Sequence, residues 1–183
     1  LSMGAVAVAL QPGMMETLTE IQAQIQASQT MEDLLQVLAP YLAKPWVFLL
    51  VLLFAAGLGP LIEEAVKPLA VWILGKHLRS AGEGFALGAL SGAGFALLEG
   101  LMAASGMVSV PYFGIPARLA SSLMHITLSG IVGWGIVSAL KEKRWKRLLG
   151  AYILSSLLHG IWNGSALMAV YGALRFEVQG MDK

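Results

Sequence analysis

Residues 60–74, "PLIEEAVKPLAVWIL", place two adjacent glutamates and a lysine inside a run that is otherwise apolar enough to cross a membrane. Charged side chains inside a bilayer are costly, and in transmembrane helices they face the bundle interior and pair with one another. Lys67 follows Glu63 by four residues and Glu64 by three, so its ammonium lies on the same helix face and neutralises part of the acidic pair. The stretch therefore predicts a transmembrane helix whose polar face is turned towards other helices.

The composition of the whole chain also indicates a membrane protein. Of its 183 residues, 57% are hydrophobic and 13% are charged, whereas about a quarter of the residues in a soluble domain are charged. The mean hydropathy is +0.72. The net charge of +1 provides no basic face for nucleic acid, and the absence of cysteine excludes disulfides and thiolate metal sites. We expect an all-α, polytopic transmembrane helical bundle.

The predicted bundle has four to five spans. Residues 46–59 are strongly apolar but end at "GLGP", so they form either a separate short crossing or the outer part of one broken helix with the next span. Before them, residues 14–38 combine apolar residues at roughly helical spacing with a polar opposite face, which predicts an amphipathic surface helix that Pro40 and Pro45 end. The further spans are predicted at residues 60–78, 84–104, 116–140 and 147–172.

These segments divide the chain into three parts. The chain opens "LSMGAVAVALQPG", without an initiator methionine or a basic n-region, so we expect residues 1–45 to comprise the tail of an upstream segment followed by the amphipathic helix. Residues 46–175 are the predicted transmembrane bundle, and residues 176–183 a polar tail. Basic residues cluster at 76–79 and 141–147, so we expect these two loops on the cytoplasmic side and the uncharged connection 105–115 outside.

Polar residues in four spans fall at one depth. Glu64, Glu99, His125 and His159 lie 12 to 16 residues from the predicted cytoplasmic ends of their helices, which places them within about 6 Å of one another in height. A ridge of small residues at positions 84, 88, 92, 96 and 100 allows close helix packing and turns Glu99 towards a neighbouring helix. Each residue alone fits a structural role. Together they predict a site that holds a metal, performs acid–base chemistry or relays ions.

Four short motifs occur in order on the successive spans: "EEAVK" (63–67), "FALLE" (95–99), "SSLMHITLSG" (121–130) and "HGIWN" (159–163). Together they resemble the PrsW family of intramembrane proteases, within the larger group that contains the CAAX prenyl endopeptidases and bacterial immunity proteins. The second motif ends in Glu99, as in PrsW, where the CAAX enzymes have histidine. The resemblance covers residues 60–165 and leaves residues 1–45 outside.

The resemblance implies an intramembrane peptidase of the prokaryotic cytoplasmic membrane. Its partners would be the lipid bilayer and single-pass membrane proteins, cut near the outer side of the bilayer. The family's implied role is cleavage of an anti-sigma factor on its extracytoplasmic side. The substrate itself and the oligomeric state are not carried over.

Two mechanisms fit the candidate residues. In the first, zinc is bound by Glu99, His125 and His159 together with Glu64, and Glu63 or Glu64 acts as general base. In the second, which needs no metal, a desolvated glutamate activates water while His159 and Asn163 hold the oxyanion. In both, Lys67 positions the glutamate pair.

Two other classes of protein remain open from the residues alone. An ion-coupled transporter or proton channel would use the same glutamates and histidines as its coupling site. No inverted repeat is visible between residues 60–104 and 116–172, which counts against a transporter. A non-catalytic membrane scaffold would keep these residues for assembly.

Overall fold

The computed structural model describes residues 12–28, 31–107 and 111–181, which are almost entirely helical and contain no strand. The helices are α1 (Pro12–Ala27), α2 (Met31–Leu42), α3 (Pro45–Leu52), α4 (Gly59–Val66), α5 (Leu69–Leu74), α6 (Ala81–Met107), α7 (Pro111–Glu142) and α8 (Trp145–Met181). Within these residues, helical segments long and apolar enough to cross a membrane are Pro45–Leu74, Ala81–Met102, Ile115–Glu142 and Trp145–Ala173. The predicted all-α transmembrane bundle is confirmed, with four spans.

The first span is one long broken helix, which was the second of the two predicted alternatives. The "GLGP" sequence does not interrupt it, because a π-helical turn (Leu53–Leu58) joins α3 to α4. In this turn the Gly59 N–H donates to the Phe54 carbonyl five residues earlier. Pro60, at the start of α4, has no N–H to continue that pattern, and the wider π turn accommodates it.

The break in the first span comes instead between α4 and α5. Pro68 has φ −80° and ψ 31°, outside the helical region, and its missing N–H leaves the Glu64 carbonyl without its helical donor. Side chains satisfy two neighbouring carbonyls. The Trp72 indole donates to the Ala65 carbonyl (2.9 Å), and the Ser91 hydroxyl to the Lys67 carbonyl (2.5 Å).

The predicted amphipathic helix 14–38 is two helices, α1 and α2. Pro40 lies inside the last turn of α2 and does not end it at once, and Pro45 begins α3, where a missing N–H costs nothing. By packing, the described residues up to Phe48 form one compact unit with those from Tyr171 onwards, and residues 49–170 form a second. In the first unit the Phe48 and Tyr171 rings stack at 3.9 Å. The division of the chain at residues 45 and 175 stays a prediction.

The ridge of small residues on α6 packs directly against the backbone of α7. A Cβ atom on Gly84 would lie 2.7 Å from the Gly133 carbonyl oxygen, and one on Gly92 would lie 2.6 Å from that of His125. Gly88 is pressed in the same way against the Ser129 carbonyl. Because glycine is required at each contact, the two backbones approach closely enough for short polar side chains to meet between them.

Helix α7 is the most buried of the spans, and its C-terminal half contributes most of the apolar core. Val132, Ile136 and Val137 on this helix pack with Val71 of α5, and all four are almost completely buried. The Lys141 ammonium donates to the Lys76 carbonyl at 2.6 Å, so the two basic loops lie at the same end of the bundle. That shared end agrees with their predicted cytoplasmic placement, although the side of the membrane stays a prediction.

Candidate active site

The Lys67 ammonium is the centre of a buried polar cluster. Its Nζ lies 2.9 Å from Glu64 Oε1, 3.0 Å from Glu63 Oε2, 2.8 Å from His125 Nδ1 and 3.3 Å from His159 Nδ1. The Lys67 and Glu64 side chains are completely buried, whereas that of Glu63 is 33% exposed. The polar face predicted for the first span therefore holds one carboxylate away from solvent and leaves the other accessible.

His125 is held in one orientation by partners on both ring nitrogens. Nδ1 faces the Lys67 ammonium, and Nε2 lies 2.9 Å from Glu99 Oε2. An ammonium can only donate and an ionised carboxylate can only accept. The neutral ring therefore carries its proton on Nε2 and directs the Nδ1 lone pair towards the centre of the cluster.

His159 has the opposite arrangement. Nδ1 lies 2.9 Å from Glu64 Oε1, and Nε2 lies 3.2 Å from the Asn163 amide nitrogen, which also donates to the Ala55 carbonyl at 2.9 Å. The ring carries its proton on Nδ1, donates it to Glu64, and accepts from Asn163 at Nε2. The two imidazoles meet edge to face with their centroids 4.9 Å apart.

The π-helical turn supplies an acceptor for Asn163. In the five-residue pattern of the turn, Pro60 would be the donor to the Ala55 carbonyl, and it has no N–H. Asn163 donates in its place. One turn earlier, a Cβ atom on Gly160 would collide with the Ala56 carbonyl oxygen. The spacing of "HGIWN" is thus explained by a histidine in the cluster, a glycine against the turn and an asparagine bonded to it.

The sequence prediction missed Arg118 and Phe95. An Arg118 guanidinium nitrogen lies 3.0 Å from Glu99 Oε2, and the Phe95 ring lies under the Lys67 ammonium at 4.6 Å. Arg118 precedes His125 by seven residues, which puts both on one helix face; this spacing is the one sequence signal that connects Arg118 to the site. The structure thus brings all seven predicted residues together and adds these two.

A subset of these groups has the arrangement of a metal site. One carboxylate oxygen of Glu63 and one nitrogen each of His125 and His159 lie within 4.8 Å of one another. Glu63 Oε2 is 3.0 Å from the Lys67 ammonium but lacks hydrogen-bond geometry to it, so we treat the contact as an ion pair that leaves a lone pair free. Two imidazoles and a carboxylate are a usual zinc donor set, so these residues fit a divalent metal.

Of the predicted ligands Glu64 and Glu99, each has one oxygen bound to other side chains, and their role as metal ligands stays a prediction. Glu64 Oε1 contacts Lys67 and His159, and Glu99 Oε2 contacts His125 and Arg118. Three carboxylates face two cations, Lys67 and Arg118, so with neutral histidines the cluster carries one net negative charge. That charge favours an added cation.

Comparison with protein families gave a match over nearly the whole length of the chain. Residues 4–180, nearly the entire chain, match the family model described as PrsW family intramembrane metalloprotease. The match includes most of residues 1–45, which the motif resemblance had left outside, so that limit was wrong. Comparisons with curated proteins and with solved structures gave no match.

Proposed function

Because the chain belongs to the PrsW family of intramembrane metalloproteases, we propose that this peptidase cuts single-pass membrane proteins near the outer side of the prokaryotic cytoplasmic membrane. An anti-sigma factor is the substrate class that the family resemblance favours. The observation that carries the proposal is the pair of glutamates around the buried Lys67 ammonium, one accessible and one enclosed. Hydrolysis inside a membrane needs a base that water can reach, held among groups that keep its charge in place.

In the metal-free form, Glu63 is the general base. Its partly exposed carboxylate takes a proton from water as the water oxygen attacks the peptide carbonyl carbon, and returns that proton to the departing amine as the C–N bond breaks. The Asn163 amide lies beside this position, because it donates to His159 Nε2, which is 3.8 Å from Glu63 Oε2. Turned from Nε2 to the developing oxyanion, that N–H would stabilise it, and His159 would hold the amide in place. Glu64 holds Lys67 and His159 in place.

In the metal-bound form, Glu63, His125 and His159 would hold the ion, and this donor set suits zinc. A bound divalent ion polarises the carbonyl and acidifies water. With Glu63 holding the ion, Glu64 would be the remaining carboxylate of the pair to accept a proton, because its Oε2 has no hydrogen-bond partner among the described residues.

The test is a comparison of protein termini in membranes from cells that express the wild-type chain or the Glu63→Gln, Glu64→Gln double variant. Loss of a general base costs at least about a hundredfold in rate. We expect new termini within or beside the spans of single-pass proteins only with the wild-type chain. The matched control is Glu142→Gln, because Glu142 is an exposed carboxylate paired with Arg144 and Arg147 in a basic loop.

The same termini at equal abundance with the double variant would refute the proposal. Cleavage by the purified wild-type protein of a substrate found in this way, with and without a strong chelator, then separates the two mechanisms. Cleavage that persists in chelator leaves only the metal-free form.

A further inference from the structure

Arg118 is a cation within the third span that hydrolysis does not itself require. Its side chain is 22% exposed and lies near the start of that span, Ile115–Glu142. A guanidinium in this position is costly unless it is paired. Its partner is Glu99 on α6, at 3.0 Å.

Arg118 and His125 share one oxygen atom. Glu99 Oε2 lies 3.0 Å from the guanidinium nitrogen and 2.9 Å from His125 Nε2. The Glu99 side chain is 40% exposed and extends from a helix on which it would otherwise sample several rotamers. Two donors converging on one oxygen hold the carboxylate where it accepts from the imidazole.

The position of the Glu99 carboxylate affects the centre of the cluster through the His125 ring. As long as Glu99 Oε2 accepts from Nε2, the ring proton is on Nε2 and the Nδ1 lone pair points at Lys67. If Glu99 moves away, Nε2 loses its acceptor, and the ring is free to turn or to change tautomer. A carboxylate that orients a functional imidazole from behind is a recurrent arrangement in metal and acid–base sites.

We propose that Arg118 is a positioning residue that acts through Glu99 to keep His125 in the Nε2-protonated tautomer, with Nδ1 directed into the site. This inference rests on the proposed function only in what the oriented imidazole is used for. The tautomer itself is a property of the resting protein. Under this inference Glu99 is the carboxylate that orients His125, and it is not a metal ligand.

The test is nitrogen NMR of the imidazoles in metal-free, detergent-solubilised protein labelled with ¹⁵N-histidine. The chain has three histidines, so the spectrum is simple, and His125→Gln and His77→Gln variants assign it. We expect separate protonated and unprotonated nitrogen signals for His125 in the wild-type protein. In Arg118→Met these signals should shift towards the average of the two tautomers, and Arg118→Lys, which keeps a donor, should recover part of the difference.

Zinc affinity, measured by competition with a chromophoric chelator, is the second readout. Loss of an orienting partner typically weakens metal binding by about 10–100-fold. Arg118→Met and Glu99→Met should each lower the affinity by that factor, and the double variant by no more than the larger single effect. Arg144→Met, in a basic loop, is the matched control and should leave the affinity unchanged.

Unchanged His125 signals in a folded Arg118→Met protein would overturn the inference, whether or not any substrate is cut. Additive losses of zinc affinity in the double variant would also contradict it, because they would mean that Arg118 does not act through Glu99. If Arg118→Met does not fold, Glu99→Met carries the NMR test, because it removes the acceptor of His125 Nε2, and wild-type His125 signals in that variant would refute the orienting role of the carboxylate. Failure to find cleavage products would count against the proposed function alone.

Discussion

Replacing Lys67 with methionine removes the ammonium from among two carboxylates and two imidazoles while keeping most of the side-chain volume. Glu64, completely buried at 2.9 Å from Nζ, would be left with only His159 as a hydrogen-bond donor. Breaking a buried ion pair by removing one partner costs about 3–5 kcal/mol. The Glu63 contact adds little, because that carboxylate is 33% exposed and solvated pairs contribute about 0–1 kcal/mol.

A double-mutant cycle separates the loss of the pair from the loss of packing. Glu64→Gln alone leaves Lys67 next to Glu63 and should cost less than Lys67→Met. Combining the two removes the uncompensated charge, so the double variant should be more stable than Lys67→Met alone by at least about 2 kcal/mol. The matched control is Lys146→Met, because Lys146 is exposed in the first turn of α8.

The assay is reversible unfolding in mixed micelles with a chelator present, so that bound metal does not replace the missing cation. The free energy of unfolding should fall by about 3–5 kcal/mol in Lys67→Met and by less than about 0.5 kcal/mol in Lys146→Met. A loss below about 1 kcal/mol in Lys67→Met would refute the reasoning. So would a double variant as unstable as Lys67→Met, because Glu64 would then not depend on Lys67.

Two further predictions concern packing and orientation. Gly160→Ala should lower the free energy of unfolding by about 1–3 kcal/mol, since the added methyl collides with the Ala56 carbonyl. Gly150→Ala, on the same helix with open space around it, should be neutral or stabilising by up to about 1 kcal/mol. In intact cells, an impermeant thiol reagent should label a cysteine at Phe113 and not one at Arg144, since we place the basic loops inside. The reverse pattern would invert the topology.

The spans and the shared depth of the polar residues could be predicted because both depend on local regularities. A helix rises by a constant amount per residue, so counting from the basic loops to Glu64, His125 and His159 was enough to place them together. Small residues at every fourth position of α6 likewise predicted close packing against a neighbouring helix, which the structure identifies as α7, since close packing requires a missing side chain at each crossing.

The π-helical turn could not be predicted, because its stabilising partner lies more than a hundred residues away. "GLGP" has the composition of a helix end, and only the Asn163 amide on α8 gives the Ala55 carbonyl a donor in place of Pro60. Arg118 was missed for a different reason. Near the end of a span a lone arginine is typical of a side chain that reaches the interface, and its contact with Glu99 depends on how α6 and α7 pack.

The pairing of Glu63 and Glu64 with Lys67 also bears on how the chain enters the membrane during synthesis. The first span leaves the ribosome before α7 and α8 are made, so its charged side chains cannot yet contact His125 and His159. Each ionised side chain costs a translocon-inserted helix about 2.5–3.5 kcal/mol near its centre. Since the lysine is three and four residues from the glutamates, its ion pairs form within the helix itself. The segment therefore brings its own counter-ion into the membrane before α6, α7 and α8 are made, and the histidines arrive later at a charge that is already half compensated.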